Sequence, residues 1–290
     1  MDESNPSKPK LRWYQFSLRT LLVVVLLASV GFAWLGNRIR IIRNEISATA
    51  ELEKMGALIT FFLKEDENAY GVPINELPIP DRWLWKWFND SPVCWVTVDG
   101  WEVTDTDLEH MKELTNLQWL ELDFIPVTDD GLNHIKGMIN LQGLRLRGTQ
   151  VTDAGLEHLK GLVSLQDLDI QETQVTDAGL EHLKGLKKLE RLDLTDTQVT
   201  DAGLEHLKGM TNLQELYIMD LQITDTGLEH LKGLSSLLYL SLYETKVTDT
   251  GLEHLKGLSN LLSVDLEATQ VTDAGVKKLQ KALPKCDISH

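Results

Sequence analysis

The sequence predicts an α/β solenoid: a right-handed β–α horseshoe, preceded by a single transmembrane helix and a small mixed α/β N-terminal cap. Three observations carry that reading. The twelve residues VTDAGLEHLKGL stand at 151–162 and recur unchanged at 175–186. Rows of 24 residues drawn from Val103 align without a gap, and Val103, Val127, Val151, Val175, Val199, Ile223, Val247 and Val271 open eight of them. An uncharged apolar run, TLLVVVLLASVGFAWLG, fills residues 20–36. A period of 24 belongs to solenoids, in which one unit cannot bury its own apolar face and stacked units share a continuous core.

From the N-terminus, residues 1–17 form a basic tail and 18–36 a membrane anchor. Seventeen uncharged residues are at the short end for a bilayer span of ~20; Leu18 and a snorkelling Arg19 extend them. A cleaved signal peptide is the competing reading, but Trp34 follows Ala33 where the small-residue site would have to end. Lys8, Lys10, Arg12 and Arg19 precede the span and Arg38, Arg40 and Arg43 follow it. That bias points to an inside N-terminus and an extracytoplasmic repeat domain. The expected localisation is a single-pass membrane protein.

Residues 37–56 read as a juxtamembrane helix. Ile39, Ile42 and Ile46 recur at helical spacing, and the pattern runs on to Leu52 and Met55 before Gly56. The seam packs on the next segment or supports a weak homodimer through a short coiled coil. Residues 57–92 form the cap region. ALITFF reads as a strand, and PDRWLWKWF (80–88) as a tryptophan-rich helix that lids the core or touches the membrane surface.

Residues 93–290 are the repeats. In VTDAGLEHLKGL, Thr152 suits a helix cap and Asp153 its positive end; Leu156 and Leu159 form the inward stripe, and Gly161 closes the helix. The second half reads LxxLxL, as in Leu165, Leu168 and Ile170, a short strand with its last two apolar residues turned to the core. At the far end, LPKCDIS is expected to close the sheet with Cys286 and Ile288, two residues early. Cys94 and Cys286 then sit at opposite ends of the stack and cannot pair.

These rows resemble the leucine-rich repeat, whose hallmark LxxLxL stands here as LERLDL at 189–194. The VTDxGLxxL half is most similar to the F-box-associated, cysteine-containing type, although no F-box pattern lies upstream. With the anchor, the chain resembles bacterial membrane-anchored leucine-rich repeat proteins. The resemblance implies a general binding scaffold rather than a particular activity. Family members place a laddering Asn after the strand; Thr149, Thr173, Thr197, Thr245 and Thr269 occupy that column, and Ile125 and Leu221 interrupt it.

The constant half of each row builds the scaffold, so the outward strand positions carry what is particular. Arg145, Arg147 and Arg191, the only arginines after residue 92, all fall in these columns. So do the only tyrosines there, Tyr217, Tyr239 and Tyr243, while lysine is confined to the helical side. Arg and Tyr dominate binding hot spots because they offer rigid contact area and directional donors. The expected function is therefore non-catalytic binding of a protein or peptide on the concave strand face, with Asp169 and Asp193 beside the arginines. One alternative is a structural spacer whose Arg145 merely balances Glu121 and Asp169. The other is a glycan- or cell-wall-binding module built on Trp95 and Trp119.

Several functions are excluded or discounted. Residues 61–290 hold 20 basic against 39 acidic side chains, which repels nucleic acid. His110, His134, His158, His182, His206, His230 and His254 form a perfect column, but the repeat copies whatever it contains, so no metal is expected. Asp167, Asp169 and Asp193 lie among arginines that spoil a calcium site. No nucleophile–base pair or phosphate loop stands out, and neither an enzyme nor a cofactor is expected.

Overall fold

The computed structural model describes residues 103–290 and Trp95–Val98 throughout. It also describes the strands Ala57–Phe61 and Val72–Pro73 and helical positions 37, 40, 43, 44, 47, 48, 50 and 51. The apolar run at 18–36, the tryptophan-rich stretch at 80–88 and Cys94 lie outside the described residues. Among the described residues no helix is long and apolar enough to cross a membrane. Met1–Asn44 and Glu45–His290 form two compact units, and the second carries the repeats.

That unit holds a single sheet. Its strands are β1 (Ala57–Phe61), β2 (Val72–Pro73), β3 (Trp95–Val98), β4 (Trp119–Glu121), β5 (Gly143–Arg145), β6 (Asp167–Asp169), β7 (Arg191–Asp193), β8 (Glu215–Tyr217), β9 (Tyr239–Ser241), β10 (Ser263–Asp265) and β11 (Asp287–Ser289). From β3 to β11 each strand pairs in parallel with the next, always in 24-residue register. β1 lies antiparallel on the outer edge of β3, and β2 on β1. Leu120, Leu144, Leu168, Leu192 and Leu216 stack at the strand centres with no exposed surface. A parallel strand of three residues has little stability by itself; the shared leucine core holds each row against the next.

The helical half is shorter and tighter than the periodicity suggests. Thr152 caps an α-turn over Asp153–Glu157, accepting from the Ala154 N–H, and the chain then narrows into a 3₁₀ turn over His158–Gly161. Gly161 does not close it in a left-handed conformation. The turn ends when the Leu162 N–H bonds back to Leu159 O, three residues earlier. Of the glycines at this position only Gly209 is left-handed (φ 83°); elsewhere left-handed backbone falls just after strands β4 to β10, at Phe124, Gly148, Glu172, Asp196, Asp220, Glu244 and Ala268, with φ between 54° and 64°. There it lets the chain turn away while the N–H still bonds the next repeat, as from Phe124 to Arg147 O and from Glu172 to Thr195 O.

The threonine column does not ladder either. Thr149, Thr173, Thr197, Thr245 and Thr269 donate to the carbonyl three residues back in their own repeat. The side-chain ladder between repeats runs through the helix caps. Asp105, Asp129, Asp153, Asp177, Asp201, Asp225 and Asp249 each accept from the backbone N–H and the hydroxyl of the Thr 23 residues later, at 2.5–2.8 Å. The cap hydroxyl thus donates to a neighbour's carboxylate while, in most repeats, accepting from its own helix. These bonds hold the Asp249 carboxyl below the ordinary range, through the Thr272 N–H first and its hydroxyl second. The glycine three residues after each of these threonines makes room for the carboxylate: a Cβ on Gly155 would lie 2.4 Å from Asp129 Oδ1.

The last row keeps its register, contrary to the expected two-residue offset. Ile288 pairs with Val264, 24 residues apart. The final helix, Asp273–Ala282, is longer than its predecessors, and the connection after it is shorter. Cys286 therefore fills the buried place before the strand that Leu261 takes one row earlier.

Candidate functional site

On each short strand the two residues flanking the buried centre face away from the core, so successive rows lay side chains next to one another at the ~4.8 Å strand spacing. At the first repeats Trp95 and Trp119 stack with ring centroids 4.7 Å apart and planes at 22°. The other side of Trp119 lies on Gly143, where a Cβ would fall 2.1 Å from Trp119 Cε3. Thr97 and Glu121 hold the pair. Trp95 Nε1 donates to Thr97 Oγ1, Thr97 Oγ1 to Glu121 Oε2, and Trp119 Nε1 to Glu121 Oε1, at 2.9–3.2 Å. The Arg145 guanidinium sits 5.7 Å from the Trp119 centroid and 3.6 Å from Glu121 Oε1. Its Nε is buried without a hydrogen-bond partner.

Arg191 is the hub of a second group. It reaches Asp167 at 3.3 Å, Asp193 at 3.1 Å and Glu215 at 3.4 Å, and lies 4.8 Å from the Tyr217 ring centroid. The Tyr217 hydroxyl donates to Glu215. Asp193 also accepts from the Thr195 N–H and hydroxyl and from Gln171 Nε2, and Gln171 joins it to the buried Asp169. Burial pushes the carboxyls of Asp167 and Asp193 above the ordinary carboxylate range, opposed chiefly by Arg191 at Asp167 and by the Thr195 hydroxyl and N–H at Asp193. Burial also lowers Arg191, but Asp167 and Asp193 outweigh it and raise its pKa overall. Asp169, Asp193, Arg191 and Tyr217 are thus committed largely to one another.

Arg147 stands at the turn after β5. It makes a two-point contact with Glu172, at 3.0 and 2.7 Å, and lies 5.1 Å from the centroid of the exposed Phe124 ring. Toward the other end, Tyr239 is 41% exposed and Tyr243 half-buried. Among the described residues the stacked aromatic pair is Trp95–Trp119, and the tyrosines do not stack on one another. Six lysines of the helical side pair with glutamates three residues earlier, as Lys160 does with Glu157, and Lys136 donates instead to Asn133. Among the described residues no group of three or more His, Cys, Asp or Glu is placed to hold a metal ion.

A leucine-rich repeat family model matches residues 185–208. The chain is similar to the crystal structure of an internalin C2 (inlC2) from Listeria monocytogenes, at 30% identity and a TM-score of 0.54, over 68% of this chain and 81% of that one. The chain belongs to the leucine-rich repeat family. A second leucine-rich repeat relative, an internalin (inlF) from the same organism, is similar at 25% identity and a TM-score of 0.51, over 63% of this chain but only 56% of its own length. No curated protein matches.

Sequence reasoning missed three features of this leucine-rich repeat face. Gly143 is the seat of Trp119 rather than a gap in the column; the signal was a lone glycine in the row after a tryptophan at the same position. Phe124 lies under Arg147, one residue before the Ile125 that interrupts the threonine column, and no repeated residue marked it. Leu262, just before β10 and 46% exposed, joins Tyr239 on the rim of the face.

Proposed function

We propose that this chain is a non-catalytic scaffold that binds a protein or peptide partner through the strand face of its repeats. It is held to a membrane by the apolar segment at 18–36, with the repeats on the extracytoplasmic side. One observation carries the binding role: the arginines and tyrosines of the repeats lie on the strand face, while six lysines of the helical face, Lys112, Lys160, Lys184, Lys208, Lys232 and Lys256, pair with glutamates three residues earlier. A spacer needs no such segregation. Arg145 and Arg147, whose side chains are partly exposed, and Tyr239 and Tyr243 are the accessible anchors. Arg191, Asp169, Asp193 and Tyr217 lie beside them and are tied chiefly into their own network.

A glycan module is less favoured. Sugars stack on open aromatic faces, whereas Trp95 and Trp119 cover one face of each other and Gly143 backs the second face of Trp119. The test is chemical crosslinking and capture from native membranes, comparing wild type with a folded Arg145→Ala, Tyr243→Ala variant. A partner held by wild type and lost by the variant supports the reading. Identical captures overturn it in favour of the spacer.

A further inference from the structure

We infer that the rim where strands β7 to β10 begin takes a cationic polypeptide segment, one carrying a large apolar side chain about four residues from a lysine or arginine. The inference rests on the strand face being the binding surface and names the chemistry of what it binds.

Charge comes first. The outward columns of the described strands and the next outward position after them hold nine carboxylates, at Glu121, Asp123, Asp167, Asp169, Asp193, Glu215, Asp265, Glu267 and Asp287, against three guanidinium groups. Each guanidinium is already paired with a carboxylate. An acidic partner would meet no uncommitted positive charge here, whereas a basic one meets an excess of negative charge.

The excess has a shape. A shallow hollow of about 250 Å³ is lined by Trp119, Arg191, two glutamines and the carboxylates of Asp167, Glu190 and Glu215. Arg191 shares its single charge among Asp167, Asp193 and Glu215, and Glu190 is exposed, so the hollow retains net negative charge beside an indole. A lysine or arginine seated there gains charge-assisted hydrogen bonds to the carboxylates of Asp167, Glu190 and Glu215.

An apolar step adjoins the hollow. Gln214 O, at its edge, accepts from the N–H groups of Leu238 and Tyr239, and Leu238 O accepts from Leu262 N–H, at 2.8–2.9 Å. Tyr239 and Leu262 are 41% and 46% exposed, and are two of the five large apolar side chains exposed among the described residues. From Arg191 to the Leu262 row is three strand spacings, ~14 Å, which an extended peptide rising ~3.4 Å per residue crosses in about four residues. Backbone spacing therefore sets the separation of the basic and apolar groups.

The experiment uses the full chain in detergent and fluorescent Gly/Ser-based peptides bearing a Lys pair, or a Glu pair, and one Leu placed two, four or eight residues away. Anisotropy should show the Lys peptide with fourfold spacing binding at least tenfold more tightly than its Glu counterpart. That preference should disappear in Tyr239→Ser, Leu262→Ser and in Glu190→Lys, all at exposed positions. Equal binding of Lys and Glu peptides, or undiminished binding by Tyr239→Ser, Leu262→Ser, overturns the inference. So does self-association that consumes the rim and is lost in Leu262→Ser, since the occupant is then a second copy. Capture of a membrane partner that depends on Arg145 but not on Tyr239, Leu262 or Glu190 refutes this rim while leaving the strand-face reading intact.

Discussion

The repeat that opens at Val175 contains two glycines, Gly179 and Gly185, and the same alanine substitution should act on them with opposite sign. At Gly179 a Cβ would lie 2.4 Å from Asp153 Oδ1, 3.0 Å from Val175 Cγ1 and 3.1 Å from Leu156 Cδ1. The Asp153 carboxylate is fixed by the Thr176 N–H at 2.7 Å and the Thr176 hydroxyl at 2.6 Å, so it cannot withdraw without breaking both bonds. Hydrogen bonds to a charged group contribute ~1.5–3 kcal/mol each when buried, and overpacking adds ~1–3 kcal/mol. Partial exposure reduces the first figure, and the better helix propensity of alanine returns ~1 kcal/mol. The net loss for Gly179→Ala should be about 2–4 kcal/mol, a fall in Tm of roughly 5–15 °C for a domain of this size. At Gly185 a Cβ meets nothing nearer than Lys160 O at 3.9 Å, and φ is not positive, so Gly185→Ala should stabilise by ~0.4–1 kcal/mol. Thermal unfolding of the full chain by circular dichroism measures both. The decisive arm repeats Gly179→Ala in an Asp153→Ala background, where most of its cost should vanish. An unchanged cost there, or a Gly179→Ala variant as stable as wild type, refutes the proposed role of the aspartate ladder.

Three further outcomes are expected. Ala268→Gly relieves a left-handed residue (φ 57°) and should stabilise by about 1 kcal/mol, whereas Gly148→Ala adds both strain and a contact 2.6 Å from the Phe124 ring and should destabilise; urea midpoints separate them. Arg191→Met leaves the buried Asp193 without its cation and should cost about 3 kcal/mol, while Arg147→Ala removes an exposed pair and should cost under ~1 kcal/mol. Asp123, Asp167 and Asp193 are raised chiefly by burial, so the folded chain holds protons that the unfolded chain has released. Their contribution is fully present below the unfolded carboxylate value and lost as pH rises through the raised ones. Acidification from neutrality should therefore gain less stability in Asp193→Asn than in wild type, as measured by urea midpoints across that pH range.

The fold was legible because a 24-residue copy fixes register: eight aligned rows could pair only as a parallel stack, and β3 to β11 do. Local closure was less legible. Gly161 looks like a helix terminator because glycine often is one, but the constraint it was expected to meet falls on residues such as Asp196 and Ala268, where no glycine advertises it. The repeated Thr-Asp pair was readable as a cap. That the Asp reaches the next row's Thr depends on side-chain geometry across 23 residues, which one row does not display. At the candidate site, the columns foretold which side chains would be neighbours, including Trp95 beside Trp119. They could not reveal that Arg191 would be surrounded by three carboxylates while Arg145 kept an unpartnered nitrogen, because each choice depends on rotamers in adjoining rows.

The most direct measurement places a photo-activated crosslinking amino acid at Tyr239 or Tyr243 on the strand face and, in a separate chain, at the exposed Glu181 on the helical face, then irradiates native membranes. The account predicts a discrete crosslinked partner from the strand-face positions and none from Glu181. A partner captured from Glu181, with the strand-face positions silent, would contradict it.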